Sequence, residues 1–414
     1  MKKTISFLAL AAVTAMAATA QQAVVKEAER AYKGGKEAAE VVKIITPAFS
    51  DPTTAQAAQT YFIPGAASYK EYDHLLGLKQ FNKLPENGDK KMGQLLIQGF
   101  DYFTKAFPLD SIPDAKGKVK PKYSKEMVNT IVGHFADYTN AGADLWNAKD
   151  YEGAYRCWDI FCSIREIPAA VKALKANNAM QPDTVFGEIA FNQALAAWQC
   201  NKLPEALAAF GNAKKLGYNK KGLYDYAIAV ATQLKNDDVV LAYAEEAIPL
   251  YGKEDPMYIS QVANYYLQNK QLDKAFSVIN DAIALDPNNS QYYVVQGVLY
   301  ENSESTPDAK AKAKESYKKA MEIDPKNAQA IYYYGRQLCE EAFALGDTAP
   351  TKQDEYTAYF NEKIKPLFLQ AADILEEAYN LNPDNTDVLK YLENVYYNLN
   401  DDAKLNDVKK RMTY

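Results

Sequence analysis

The sequence has little of what a catalytic or metal site requires. Only two histidines occur in 414 residues, His74 and His134, and neither has a Cys or carboxylate at metal-ligand spacing. The chain has no G-x-S-x-G, no phosphate-loop G-x-x-x-x-G-K and no H-E-x-x-H. Gly34-Gly35 precedes a helical pattern but lacks the strand and the lysine of a phosphate loop, so we interpret it as a turn. We therefore predict that the protein is not an enzyme and has no catalytic, cofactor-binding or metal-binding residues.

Basic charge and cysteine are also scarce. The chain has 53 acidic and 47 basic residues, for a net charge of -6. Nucleic-acid-binding domains carry a basic surface, so we expect no nucleic-acid partner. Cys157 and Cys162 point to different sides of one helical pattern, and Cys200 and Cys339 stand far away in the sequence. This spacing favours four free thiols in apolar surroundings, with a structural disulfide as the alternative.

A predominantly apolar stretch stands at the start of the sequence. Lys2 and Lys3 precede an apolar stretch from Ile5 to Met16, and Ala18-Thr19-Ala20 supplies the small residues of a cleavage site. This order is typical of a secretory signal peptide, and the apolar stretch is too short to span a membrane. We expect cleavage before Gln21 and export to the periplasm, with secretion as the alternative. No Cys stands at that junction, so we expect no lipid anchor, and no later stretch predicts a membrane span.

The stretch from Pro256 to Pro287 shows how the rest of the chain is organised. Two helical patterns flank a polar turn at Gln268–Gln271, with apolar residues at helical spacing in each. Small residues at Ala263, Ala275 and Ala282 would let the two helices approach closely. The apolar positions are Ile259, Val262, Ala263 and Tyr266, then Leu272, Ala275, Phe276, Ile279, Ala282 and Ile283.

This unit resembles a tetratricopeptide repeat (TPR), a helix pair of about 34 residues. The same positions recur in the next unit at Gly297, Tyr300, Ala313, Tyr317, Ala320 and Pro325. The chain between Gly346 and Pro366 exceeds the repeat length and predicts an exposed insertion. The boundaries predicted are a signal peptide at 1–20, a degenerate TPR-like region at 21–165, an irregular joint at 166–183, a TPR array at 184–385 and capping helices at 386–414.

The resemblance implies an all-α fold, a right-handed α-solenoid of antiparallel helix pairs. The whole chain, with its signal peptide, is similar to secreted TPR proteins of the Bacteroides type. The family binds proteins or peptides through a groove lined by the first helix of each pair. Carried onto this sequence, the groove positions select Phe191, Trp198, Asn264, Tyr332, Arg336, Lys390, Asn394 and Tyr397.

The function we expect is therefore a non-catalytic protein-binding or peptide-binding scaffold in the cell envelope. Arg336 could hold a carboxylate, and Asn264 or Asn394 could pair with a peptide backbone. The alternative is a glycan-binding or nutrient-binding accessory protein of an outer-membrane uptake system, similar to SusD. The sequence leaves the partner's identity and the oligomeric state open.

Overall fold

The computed structural model describes residues 22–113, 116–303 and 306–412. Every regular element in those ranges is helical, so the all-α prediction is confirmed. The predicted signal segment at 1–20 lies outside the described residues. The chain divides into two compact units between Lys235 and Asn236, and each is described by itself below.

The helices of the first unit form pairs, and most consecutive helices are joined by short turns. Its helices are α1 (22–33), α2 (Ala38–Ile45), a 3₁₀ turn (Thr46–Phe49), α3 (Ala58–Gln80), α4 (Gly88–Asp110), α5 (Ser124–Gly133), α6 (Asp137–Asn147), α7 (Tyr151–Ile164), α8 (Pro168–Ala176), α9 (Asp183–Gln199), α10 (Leu203–Lys215) and α11 (Lys221–Gln233).

The second unit repeats the helix-pair arrangement. Its helices are α12 (Asp237–Tyr251), α13 (Met257–Gln268), α14 (Leu272–Leu285), α15 (Ser290–Ser303), α16 (Pro307–Ile323), α17 (Ala328–Asp347), α18 (Gln353–Tyr359), a π-helical turn (Phe360–Ile364), α19 (Lys365–Leu381), α20 (Asp387–Asn398) and α21 (Asp402–Arg411).

Hairpins in both units turn through a residue with left-handed backbone. Lys149 (φ 59°), Asn201 (φ 58°), Lys270 (φ 57°) and Asn400 (φ 54°) each stand two residues before the second helix of a pair. A left-handed residue ends a helix because it turns the chain away from the helix axis. The predicted turn at Gln268–Gln271 is one of these four, and their common position shows that the hairpin is a repeated unit.

Within a pair, a small residue of the first helix faces a large side chain of the second. A Cβ added to Gly297 would lie 2.4 Å from Tyr317, and one added to Gly142 would lie 2.4 Å from Trp158. Both contacts are shorter than van der Waals separation, so only glycine fits these positions. Tyr317 is fully buried as a result. The packing that the small positions predict is confirmed.

Residues 166–183, predicted to be an irregular joint, contain a helix instead. Pro168 begins α8, where its fixed φ and missing N–H are well suited to a first turn. Ala170 and Leu174 are buried in the same core as the helices before them. The interpretation of this stretch as irregular was wrong, and the predicted joint lies inside the first unit.

The insertion predicted between Gly346 and Pro366 is a helical extension of the hairpin. Helix α18 has no buried residue, and the π-helical turn connects it directly to α19. Pro366 has no N–H to bond the carbonyl four residues before it, which accounts for the wider turn at that point. Residues 351–358 are exposed, as predicted, whereas Ile364 in the π-helical turn is buried.

Candidate functional site

The first helices of the second unit form one layer. Helix α13 contacts α15, α15 contacts α17, and α17 contacts α20. The second helices α14, α16 and α19 each pack between consecutive members of this layer. We call α13, α15, α17 and α20 the first-helix layer. Six of the eight predicted binding residues lie on it: Asn264, Tyr332, Arg336, Lys390, Asn394 and Tyr397.

Helix α20 presents three of the predicted residues along one exposed stripe. Lys390, Asn394 and Tyr397 follow one another at helical spacing, and Tyr397 is 70% exposed. Lys390 Nζ lies 2.7 Å from the carboxylate of Asp387, an exposed pair that contributes little to stability. Asn394 Nδ2 donates to the Lys390 carbonyl at 2.9 Å, so its Oδ1 can accept a hydrogen bond from a ligand. These three groups are accessible from solvent.

Tyr332 and Arg336, on α17, are committed to intramolecular contacts. Tyr332 is buried against Tyr333 and Tyr391, with ring centroids 5.2 and 6.2 Å away. Arg336 forms an ion pair with Glu301 of α15 and lies over the Tyr333 ring at 4.9 Å. The structure therefore gives Arg336 a partner within the chain, whereas the sequence suggested a free guanidinium for a ligand carboxylate.

Glu301 joins two neighbouring helices of the layer, and sequence reasoning missed it. One carboxylate oxygen bonds Arg336 and the other accepts from Gln337 Nε2. Burial and the charge of Glu301 together raise the pKa of the nearby Tyr317 hydroxyl far above its usual value. The sequence did contain a signal for it. Glu301 stands four residues, about one helical turn, after the small repeat residue Gly297, which places it on the same first helix.

Asn264 lies alone on α13. Its side chain is exposed, and among the described residues it has no hydrogen-bond partner. It is accessible to a ligand, but the structure brings no other predicted residue to it.

The remaining two predicted residues, Phe191 and Trp198, lie together on α9 in the first unit. Both contact the ring of Tyr226, with centroids 6.1 and 5.7 Å away. Phe191 also stacks on Tyr218 at 4.6 Å. Trp198 Nε1 donates to Gln233 Oε1 at 3.2 Å, which fixes the orientation of the indole. Tyr226, which the repeat positions did not select, is 39% exposed and completes this aromatic cluster.

The two histidines lie in different surroundings, His134 in contact with other side chains and His74 at the surface. His134 Nδ1 lies 2.9 Å from Asp137, and its ring stacks on Tyr69 with centroids 5.0 Å apart. His74 is exposed on α3. The described residues contain no group of three or more His, Cys, Asp and Glu arranged to hold a metal ion. Across 22–113, 116–303 and 306–412, no helix is long and apolar enough to cross a membrane.

Two depressions have side chains suited to ligands. One, of about 440 Å³, lies between α16 and α17, and half of its lining residues are charged: Lys310, Lys314, Glu340 and Glu341. Lys314 bonds Glu341 across it at 2.6 Å. The other, of about 270 Å³, lies in the first unit and has an uncharged lining of Ala143, Trp146, Asn147, Trp158, Asn192 and Leu195.

Comparison with known proteins identifies solved structures only. No family model and no curated protein matches the chain. YrrB, a TPR protein with an unusual peptide-binding site, is 20% identical over 51% of this chain and 96% of its own, with a TM-score of 0.33. A TPR repeats protein from Bacteroides fragilis is 22% identical over 64% of this chain and 98% of its own, with a TM-score of 0.30. The C-terminal part of a TPR repeat-containing protein from Cytophaga hutchinsonii is 14% identical over 66% of this chain and 93% of its own, with a TM-score of 0.39.

These three matched structures are TPR proteins, the family that the sequence resembles. In the chain's own helix pairs, a glycine of the first helix faces a large ring of the second, as the small repeat positions predict.

Proposed function

We propose that the protein is a non-catalytic scaffold of the cell envelope that binds a protein or peptide through the first-helix layer of its second unit. The observation that carries the proposal is the exposed stripe of Lys390, Asn394 and Tyr397 on α20. Nothing in the described chain covers these side chains, and the ion pair between Lys390 and Asp387 is exposed, so a ligand carboxylate could replace Asp387.

The chemistry of the stripe suits an extended peptide. Asn394 can accept from a backbone N–H, and Lys390 can donate to a carbonyl or carboxylate. Tyr397 offers a ring that a ligand side chain could cover, and tyrosine is among the residues that dominate binding energy at protein interfaces. Asn264, exposed on α13, extends the polar surface of the same layer. Arg336 has no role in ligand capture in this proposal, because Glu301 already neutralises it.

The envelope location rests on the sequence of residues 1–20, with their basic start, apolar stretch and small residues before Gln21. Cell fractionation followed by N-terminal sequencing tests it. A mature protein that begins at Gln21 in the periplasmic fraction supports the proposal, and an uncleaved protein in the cytoplasm contradicts it.

Partner binding is tested by affinity capture from envelope extract, followed by mass spectrometry and a direct binding assay with the recovered partner. The triple variant Lys390→Ala/Asn394→Ala/Tyr397→Ala should weaken binding by about tenfold or more without lowering the melting temperature. The matched control is Lys352→Ala/Tyr356→Ala, which removes an exposed lysine and an exposed tyrosine from the helical extension of the same unit. Equal binding by the triple variant and the wild type would refute the role of the stripe.

A further inference from the structure

We call the uncharged depression in the first unit the tryptophan pocket, and its lining is suited to a ligand. Its two rings, Trp146 and Trp158, come from α6 and α7, and α9 closes it with Asn192 and Leu195. Asn147 stands at its edge. The pocket contains aromatic faces and amides but no charged side chain, although about a quarter of the residues in the chain are charged.

The rings of the tryptophan pocket are held in place from behind. Trp158 is buried, and its Nε1 donates to the Thr139 carbonyl at 3.3 Å. It occupies the space above Gly142, where an added Cβ would lie 2.4 Å from Nε1. Trp146 packs on Trp158 and on Tyr151, with centroids 6.1 and 5.0 Å away. A ligand would therefore meet rings that are already ordered, and binding would not require their immobilisation.

The amides of the tryptophan pocket are not used by the fold. Among the described residues, neither the Asn147 nor the Asn192 side chain has a hydrogen-bond partner. Each amide both donates and accepts. Asn192 is half-buried but its amide atoms remain accessible, so a bound ligand could take the place of water as their hydrogen-bond partner.

Aromatic side chains continue from the tryptophan pocket along α9. Trp198 follows Leu195 by one helical turn, and it has the same place in its helix pair as Trp146 has in the pair before. Its indole lies beside Tyr226 at 5.7 Å and is bonded to the amide of Gln233. The combination of partly exposed indole and neighbouring amide thus occurs twice in successive first helices of the first unit.

We propose that this aromatic and amide track binds a neutral oligosaccharide, with one sugar ring in the tryptophan pocket and further units along Trp198 and Tyr226. A sugar ring has a C–H face that packs on an indole and a rim of hydroxyls that both donate and accept, which matches amide side chains. The uncharged lining disfavours acidic or phosphorylated sugars, since a buried charge without a partner is costly. The volume, about 270 Å³, lies below the roughly 300–1,000 Å³ of pockets for larger ligands and suits a single ring.

The site goes beyond the proposed scaffold function, because it lies in the other unit and takes another class of ligand. The proposed sugar site is tested by titrating the full-length mature protein with neutral gluco-, manno-, xylo- and galacto-oligosaccharides of increasing length. Binding is measured by tryptophan fluorescence and by calorimetry. At least one series should bind, with affinity that rises with chain length. Trp146→Ala, and separately Asn147→Ala/Asn192→Ala, should each reduce that affinity by about tenfold or more.

The double asparagine variant distinguishes loss of binding from loss of folding. Neither amide has a partner within the described residues, so the melting temperature of this variant should equal that of the wild type. Tyr356→Ala, in the second unit, is the control that should leave sugar binding unchanged. Absence of binding to every series at about 10 mM overturns the proposal, as does binding that both pocket variants retain. A change in tryptophan fluorescence when a neutral proline-rich peptide is added, with no change for any oligosaccharide, would also overturn it. None of these results depends on the Lys390, Asn394 and Tyr397 stripe.

Discussion

Glu301 and Arg336 join two first helices of the second unit through an ion pair. Glu301 belongs to α15 and Arg336 to α17, and their side chains are only 16% and 20% exposed. Glu301 also accepts from Gln337, and Arg336 lies over the ring of Tyr333. Both charges are thus largely removed from water and neutralise each other, and Arg336 Nε also lies 3.7 Å from the Glu340 carboxylate. The pair connects successive repeats, so its disruption should affect stability more than ligand capture.

Arg336→Met should therefore destabilise the protein. Loss of one partner from a fully buried pair costs about 3–5 kcal/mol, and partial exposure reduces the expected cost here to about 1–3 kcal/mol. Urea denaturation measures the free energy of unfolding. The double variant Glu301→Gln/Arg336→Met should recover part of the loss, because it leaves no unpaired charge. If the single variant is as stable as the wild type, the ion pair has no structural role and Arg336 regains its place among candidate ligand contacts.

Gly297→Ala should destabilise the second unit because the new methyl group would overlap the Tyr317 ring. The Cβ would lie 2.4 Å from a ring whose buried surroundings leave no space to move. Overpacking of this kind costs about 1–3 kcal/mol. Gly346→Ala, in α17 of the same unit, is the matched control, since no atom lies within 4 Å of its added Cβ. The control should be neutral or stabilising by up to about 1 kcal/mol, and equal effects of the two substitutions in urea denaturation would contradict the packing argument.

Features set within one helix pair were predictable from the sequence. The spacing from Gly297 to Tyr317 is fixed by the hairpin, so a small residue predicts the large side chain that covers it. Helix α8 was missed because only Ala170 and Leu174 of its nine residues are buried, which is too few for a recognisable period. Pro168, a typical first-turn residue, was the signal that could have revealed it.

Features that depend on contact between pairs were not predictable. The repeat position placed Arg336 correctly on the first-helix layer, but its partner Glu301 stands 35 residues earlier, and only packing shows that the two meet. In the same way, the repeat positions selected Trp198 but not Trp146 or Tyr226. Their importance comes from the amides and rings that neighbouring helices bring beside them.

Asp110→Asn should destabilise the first unit in a pH-dependent way. The Asp110 carboxylate accepts from the backbone N–H groups of Lys122, Tyr123 and Ser124 at 3.0, 2.8 and 2.6 Å, and from the Ser124 hydroxyl at 2.6 Å. It therefore ties the end of the loop before α5 to the end of α4. Burial alone would raise the pKa of Asp110, but these hydrogen bonds outweigh it and lower the pKa below its usual value.

A lowered pKa in the folded state means that the ionised Asp110 stabilises the protein above its unfolded pKa of about 3.9, and that this contribution is lost as the pH falls through the folded value. At neutral pH the Asn variant should lose about 1–3 kcal/mol, and the difference from wild type should shrink as the pH falls below about 4. Asp402→Asn, at an exposed position of α21, is the control and should show neither effect. A loss for Asp110→Asn that stays constant down to low pH would contradict the ionic role.

The four free thiols should react with a thiol reagent in an order set by burial. Cys157 and Cys339 are fully buried, and burial raises the pKa of each to about 12, as it does for Cys162. Because only the thiolate reacts, these three should be labelled slowly in the native protein at about pH 8. Cys200 is partly exposed at the end of α9 and should be labelled first.

Mass spectrometry of partially labelled protein identifies the order, and Cys200→Ser should remove the fast phase without changing the rest. After unfolding without reductant, all four thiols should react, because the structure contains them as free cysteines. Fewer than four labels would reveal a disulfide and contradict the packing of Cys157 and Cys162 on different sides of α7. Rapid labelling of Cys339 in the native protein would show instead that the second unit opens on the timescale of the reaction, since only opening can expose a thiol with no accessible surface.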